Sequence, residues 1–222
     1  FIYGSNMDGV IKGYRRITGK AAMLPKWAFG YIQSQERYET AAEILQIADE
    51  YRERELGLDA LVLDWCSWED GKWGQKTFDE SRFPHPEEMI NELHKRNIHF
   101  MISVWPNASE NSDNYAEFSQ KDLHLPVSSI YNAIKEEGRN VYWDQLAKGL
   151  FSKGVDAWWC DSSEPFTPEW NHMGKREPVS QYTEYVQSVS NYMPSWLINA
   201  YCLYHAQAIF EGQRKAQENS IA

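Results

Sequence analysis

Residues 154–165 read Gly154-Val155-Asp156-Ala157-Trp158-Trp159-Cys160-Asp161-Ser162-Ser163-Glu164-Pro165. A short apolar run ends here in two carboxylates. A parallel strand covered on both faces is apolar almost throughout, so the first acid after such a run stands at the strand's C-terminal end, where (β/α) barrels assemble their active sites. Asp161 is on this reading a candidate nucleophile. Acids at strand ends also cap turns, and the surrounding sequence has to decide between the two roles.

Working outward, strand-like and helix-like patterns alternate. Residues 27–34 (WAFGYIQS) read as a first strand, and residues 40–55 carry Ala42, Ile44, Leu45, Ile47 and Ala48 at helical spacing. Residues 61–65 (LVLDW) read as a second strand, residues 86–97 as a helix with early acids and late bases, and residues 99–105 (HFMISVW) as a third strand. A helix over residues 140–153 leads to the fourth strand, residues 156–160, and a long loop separates that strand from a helical region beginning at residue 180. Repeated βαβ units of this kind predict an α/β fold of the (β/α)8 TIM-barrel type, with the first half of the barrel present. Residues 1–25 read as a lead-in segment, a helix over residues 8–20 joined through Pro25, and residues 26–222 as the partial barrel.

Composition narrows the function. The chain has 222 residues, 42% hydrophobic, enough for a sizeable core, and its formal net charge is −10. Its basic pairs are scattered, which argues against a nucleic acid partner, and no apolar run approaches the ~20 residues of a membrane span. Cys66, Cys160 and Cys202 fit neither a disulfide framework nor a zinc site, and they read as small buried hydrophobes. His94 and His99 alone have metal-ligand spacing, across a helix end and a strand start, and no metal or other cofactor is predicted.

Three successive strands deliver polar or aromatic groups to one rim: Asp64-Trp65, Trp105-Pro106-Asn107 and Trp159-Cys160-Asp161. Together with Pro25-Lys26-Trp27-Ala28-Phe29-Gly30-Tyr31, Phe83-Pro84-His85-Pro86, Asn199-Ala200-Tyr201 and Phe210-Glu211-Gly212, this ordered set resembles glycoside hydrolase family 31 over nearly the whole chain. The resemblance implies a retaining α-glycosidase with Asp161 as nucleophile, Asp64 holding hydroxyls of the sugar in the −1 subsite, and Trp65 and Trp159 lining that subsite. Trp105, on the rim of the third strand, joins them by position. Retaining glycosidases need an ionised carboxylate below the ring and a protonated acid above the leaving oxygen, ~5–5.5 Å away.

The resemblance does not make Glu164 that acid; it reads as a carboxylate that orients the loop around Asp161, and the proton donor is expected beyond residue 222. On this expectation the piece alone is inactive. Within the family, Met101-Ile102-Ser103-Val104-Trp105-Pro106 and the Trp158-Trp159 pair look more like the α-xylosidase branch than the α-glucosidase branch. An α-galactosidase-like barrel hydrolase and a sugar-binding fragment without turnover are the alternatives. The expected partner is an oligosaccharide or glycoside, and the open sheet edges of a half-barrel predict self-association.

Overall fold

The computed structural model describes residues 2–126, 129–163 and 178–219. Its strands β1 (Ile32–Gln35), β2 (Ala60–Leu63), β3 (His99–Val104) and β4 (Ala157–Cys160) form one parallel four-stranded sheet in the order β1-β2-β3-β4. The helices are α1 (Met7–Thr18), α2 (Ala41–Glu53), α3 (Pro86–Lys95), α4 (Asp113–Gln120), α5 (Glu136–Gly149), α6 (Pro178–Val189) and α7 (Tyr201–Asn219). Parallel neighbours need crossovers, and α2, α3 and the α4–α5 pair stand between successive strands.

Local chemistry explains the helix starts. Thr40 accepts from the Glu43 amide at 3.2 Å and caps the first turn of α2, and the Glu43 carboxylate accepts from the Glu39 amide at 2.6 Å, one residue before the cap. Helix α3 begins with Pro86, its missing N–H costing nothing in the first turn, and it runs from Glu87 and Glu88 to His94 and Lys95 in line with its dipole. Its covered stripe of Met89, Ile90 and Leu93 meets Leu61, Leu63, Phe100, Ile102 and Val104 of the sheet in one core with Ile44 of α2 and Tyr142 and Leu146 of α5. Each fully buried chain of this size contributes ~1.5–3 kcal/mol relative to exposure, so this layer between sheet and helices is what holds the strand ends in place.

Several sequence expectations are corrected. Residues 27–34 are not one strand: Lys26–Phe29 is a 3-10 turn begun by Pro25 at φ −62°, Phe29 is 70% exposed, and β1 starts at Ile32. Between β3 and α5, Ser112 accepts from the Tyr115 amide and starts α4, a helix absent from the sequence reading. Helix α5 begins at Glu136 rather than at residue 140. The cysteines are not buried hydrophobes: Cys160, on the edge strand β4, and Cys202, in the first turn of α7, are exposed, and Cys66 is half-buried.

Strands β1 and β4 are the two edges of the sheet, and β4 is its more open side, half-buried to exposed along its length. Helix α7 lies on α5, where Gly212 allows the approach: a Cβ there would stand 2.2 Å from the Trp143 ring. Helix α1 is capped by Asn6 accepting from Gly9 and buries none of its residues. No helix among the described residues is long and apolar enough to cross a membrane.

Candidate active site

Register decides which side chains share the rim. Trp158 donates its indole N–H to Gln213 of α7 at 2.9 Å and meets Trp143 of α5 edge-on, so it faces the helices. Strand partners share a face, and the pairings Ile102 with Trp158, Leu63 with Ile102 and Gln35 with Leu63 carry that orientation across the sheet, as does Val104 with Cys160. Each strand thus ends on a residue turned toward the helix layer. The residue that follows, Glu36, Asp64, Trp105 or Asp161, takes the opposite face by the two-residue alternation. Asp161 keeps to the ladder, its amide donating to Val104 at 3.1 Å, and its carboxylate is held by the Ser162 amide at 2.7 Å.

Electrostatics shows that the carboxylates converge. Burial holds the Asp64 carboxyl above the usual range, and the charges of Asp161 and then Glu36 push in the same direction. Glu36 was missed by the sequence reading. The signal was available: the rule that singled out Asp64 and Asp161, the first acid past a strand end, selects Glu36 once β1 is known to end at Gln35.

The aromatic residues form a run behind the acids. Ring centroids are 6.4 Å apart for Trp65 and Trp68, 6.3 Å for Trp68 and Trp73, and 5.2 Å for Trp73 and Trp105. Trp68 and Trp73, in the loop after β2, extend the expected set of Trp65 and Trp105. Trp159 faces away from the helices in register with Ser103 and is 42% exposed. The Ser103 hydroxyl is buried with no hydrogen-bond partner among the described residues. Glu164 lies outside the described residues.

Two loops are joined into a floor for this rim. Ser109 donates its amide to Trp73 O at 2.8 Å, Gln75 accepts from the Asp113 amide at 2.8 Å, and Asn114 accepts from the Lys76 amide at 2.7 Å. Arg82 fixes the other end, donating to Cys66 O at 2.9 Å and to the Asp79 carboxylate at 2.9 Å. Lys76 is buried beneath the floor, and desolvation pulls its ammonium down to about 7. A groove of about 550 Å³ lies elsewhere, between α5 and α7, lined by residues that include Arg139, Trp143 and Glu211. The rim runs to β4, the half-buried to exposed edge of the sheet. Carboxylates that accept from hydroxyls, beside flat rings that cover C–H faces, suit a polyhydroxylated ring.

Comparison with known proteins places this arrangement. The family description "Glycosyl hydrolases family 31 TIM-barrel domain" matches residues 21–221. The chain is 37% identical to an α-xylosidase of Saccharolobus solfataricus over 99% of its own length, and 27% identical to an α-glucosidase of the same organism, also over 99%. It spans 29% and 36% of those two relatives. Among solved structures, a GH31 α-xylosidase from Xanthomonas citri superposes at a TM-score of 0.76 with 34% identity, covering 94% of this chain and 24% of that one. A GH31 α-xylosidase from a soil metagenome, complexed with xylose, gives 0.74 with 28% identity over 93% of this chain and 30% of that one. The chain belongs to glycosyl hydrolase family 31, and its four-stranded parallel sheet is part of that family's TIM-barrel domain.

Proposed function

We propose that the protein is a retaining α-glycosidase acting on terminal α-linked sugars, with α-xylosides preferred to α-glucosides. The observation that carries the reading is the convergence of Asp161, Asp64 and Glu36 at the C-terminal ends of β4, β2 and β1, with Asp64 held above the usual carboxylate range by burial and by Asp161. Asp161 attacks the anomeric carbon and the aglycone leaves with a proton from a general acid, giving a glycosyl-Asp161 ester that water then cleaves. Asp64 accepts from sugar hydroxyls, and these bonds strengthen as positive charge grows on the ring. Trp65, Trp105 and Trp159 line the sugar.

The preference for xylosides rests on Trp65, whose indole takes the room that a hydroxymethyl group on C5 needs, and on the names of the relatives, since α-xylosidases include the one 37% identical. A single CH2OH group is worth only ~1–3 kcal/mol, so glucoside hydrolysis persists at a reduced level. The test is trapping. A 5-fluoro-α-xylosyl fluoride incubated with the full chain is expected to leave its sugar on the peptide that contains Asp161, read by mass spectrometry. A label on any other residue, or turnover unchanged in Asp161→Ala, sinks the assignment.

A further inference from the structure

The end of the sheet opposite the rim holds a second cluster. His94 lies in the last turn of α3, His99 begins β3, and Asp156 directly precedes β4. His94 Nε2 lies 2.8 Å from Asp156 Oδ2, His99 Nδ1 lies 3.3 Å from Asp156 Oδ1, and all three ligand atoms fall within 4.8 Å of one another. The sequence reading set His94 and His99 aside because they straddle a helix end and a strand start with no Cys pair nearby to complete a site. The third donor comes from 57 residues beyond His99, through the pairing that places the Asp156 amide on Phe100 O at 3.0 Å.

We propose that His94, His99 and Asp156 bind a divalent cation of the zinc class, clipping α3, β3 and β4 together at the N-terminal end of the strands. The proposal is independent of the glycosidase reading. Two imidazole nitrogens and one carboxylate oxygen form a set that suits Zn2+ and its borderline neighbours rather than Mg2+ or Ca2+, which take oxygen. Tetrahedral zinc with bonds of ~2.0–2.1 Å sets its ligands about 3.3 Å apart, a spacing reached here by small turns of two imidazole rings.

An ordinary hydrogen-bond pair accounts for less of what is seen. The His94–Asp156 contact satisfies His94, but His99 Nδ1 is buried, faces the Asp156 carboxylate, and makes no well-formed hydrogen bond. The site is braced as metal ligands commonly are: the Phe100 amide donates to Asp156 Oδ2 at 2.8 Å, and Trp27 stacks on His99 with centroids 4.4 Å apart. His94 is 38% exposed in its side chain, which leaves an entry path and an open position for water.

The test uses the full chain, stripped with a chelator and titrated with Zn2+ alone by calorimetry, with thermal unfolding followed in parallel. One zinc per chain and a rise in melting temperature are expected. His94→Ala, at a half-exposed position that leaves the fold intact, is expected to weaken the binding at least tenfold and abolish the rise. His85→Ala, at an exposed histidine outside the cluster, should leave both unchanged. No stoichiometric zinc in the wild type, zinc held equally by His94→Ala, or zinc bound without stabilisation overturns the proposal, as does an equal response to Mg2+.

Discussion

The ammonium of Lys76 lies 4.8 Å from the centre of the Tyr142 ring, and its hydrogen bond to Gly74 O at 3.1 Å is contained within its own loop. This buried cation supports the floor of the rim from beneath without a carboxylate partner among the described residues. Burial pulls its pKa from 10.5 to about 7, so between those values the unfolded chain binds a proton that the folded chain does not. Stability is therefore fully present above about 10.5 and falls as pH drops toward about 7, by no more than ~1.4 kcal/mol per pH unit. Urea unfolding at about pH 7.5 and about pH 9.5, both inside this window, checks the slope. In Lys76→Met the slope should vanish, with a net gain of about 1 kcal/mol at neutral pH after the loss of the Gly74 bond.

The convergence of acids makes an ordered prediction for NMR. Asp64 titrates above the ordinary carboxylate range, and both neighbours should be visible in its titration. Asp161→Asn is expected to lower the Asp64 midpoint more than Glu36→Gln does, since Asp161 acts on it more strongly than Glu36. The reverse order would mean that β1 and β2, rather than β2 and β4, bring the tighter pair of charges together.

Kinetics separates the two strand-end aspartates. In the longer enzyme that supplies the general acid, Asp161→Ala should lose more than ~10³-fold in kcat/KM, and added azide should restore turnover with a β-glycosyl azide as product. Asp64→Asn keeps the nucleophile and should cost ~10²-fold, with no azide rescue. Rescue of both variants, or of neither, contradicts the division of roles.

Trp65→Ile opens the space assigned to the indole. The ratio of α-glucoside to α-xyloside kcat/KM should rise about tenfold, the equivalent of ~1–2 kcal/mol of discrimination. An unchanged ratio removes Trp65 from the account of specificity.

Gly149, the last residue of α5, sits against the loop that carries Lys76: a Cβ there would stand 1.8 Å from the Lys76 carbonyl oxygen. Backbone cannot swing aside as a side-chain tip can, so Gly149→Ala should cost ~1–3 kcal/mol or more in chemical denaturation. Gly57, where an added Cβ meets nothing within 4 Å, is the matched control and should change stability by less than ~1 kcal/mol when replaced by Ala.

Much of this architecture was legible in the chain because parallel strands are short and apolar and their ends are marked by charge. Leu61 to Asp64 and Ala157 to Asp161 show both features, and their strands and rim acids were readable together. Trp27 to Tyr31 has the apolar content without the burial, since Pro25 bends the chain into a turn and Trp27 goes to His99 instead of into a ladder. That misplaced strand hid Glu36. Helix α4 was hidden by composition: Asp113 to Gln120 has one fully buried residue, Phe118, and so almost no periodic signal. The cluster of His94, His99 and Asp156 was beyond any local pattern, because only the pairing of β3 with β4 brings it together.

The orientation shared by Gln35, Leu63, Val104 and Cys160 sets a rule for how such a domain changes over time. Loops beyond the rim can change length away from the hydrogen bonds that join Trp73, Gln75 and Lys76 to Ser109, Asp113 and Asn114 without reversing the face of any rim residue. Inside a strand, a single inserted residue would turn its rim residue, Asp64 or Asp161 among them, toward the helices and empty the site in one step. Length changes within the strands are therefore confined to even numbers, and diversity of substrate has to be written in the loops.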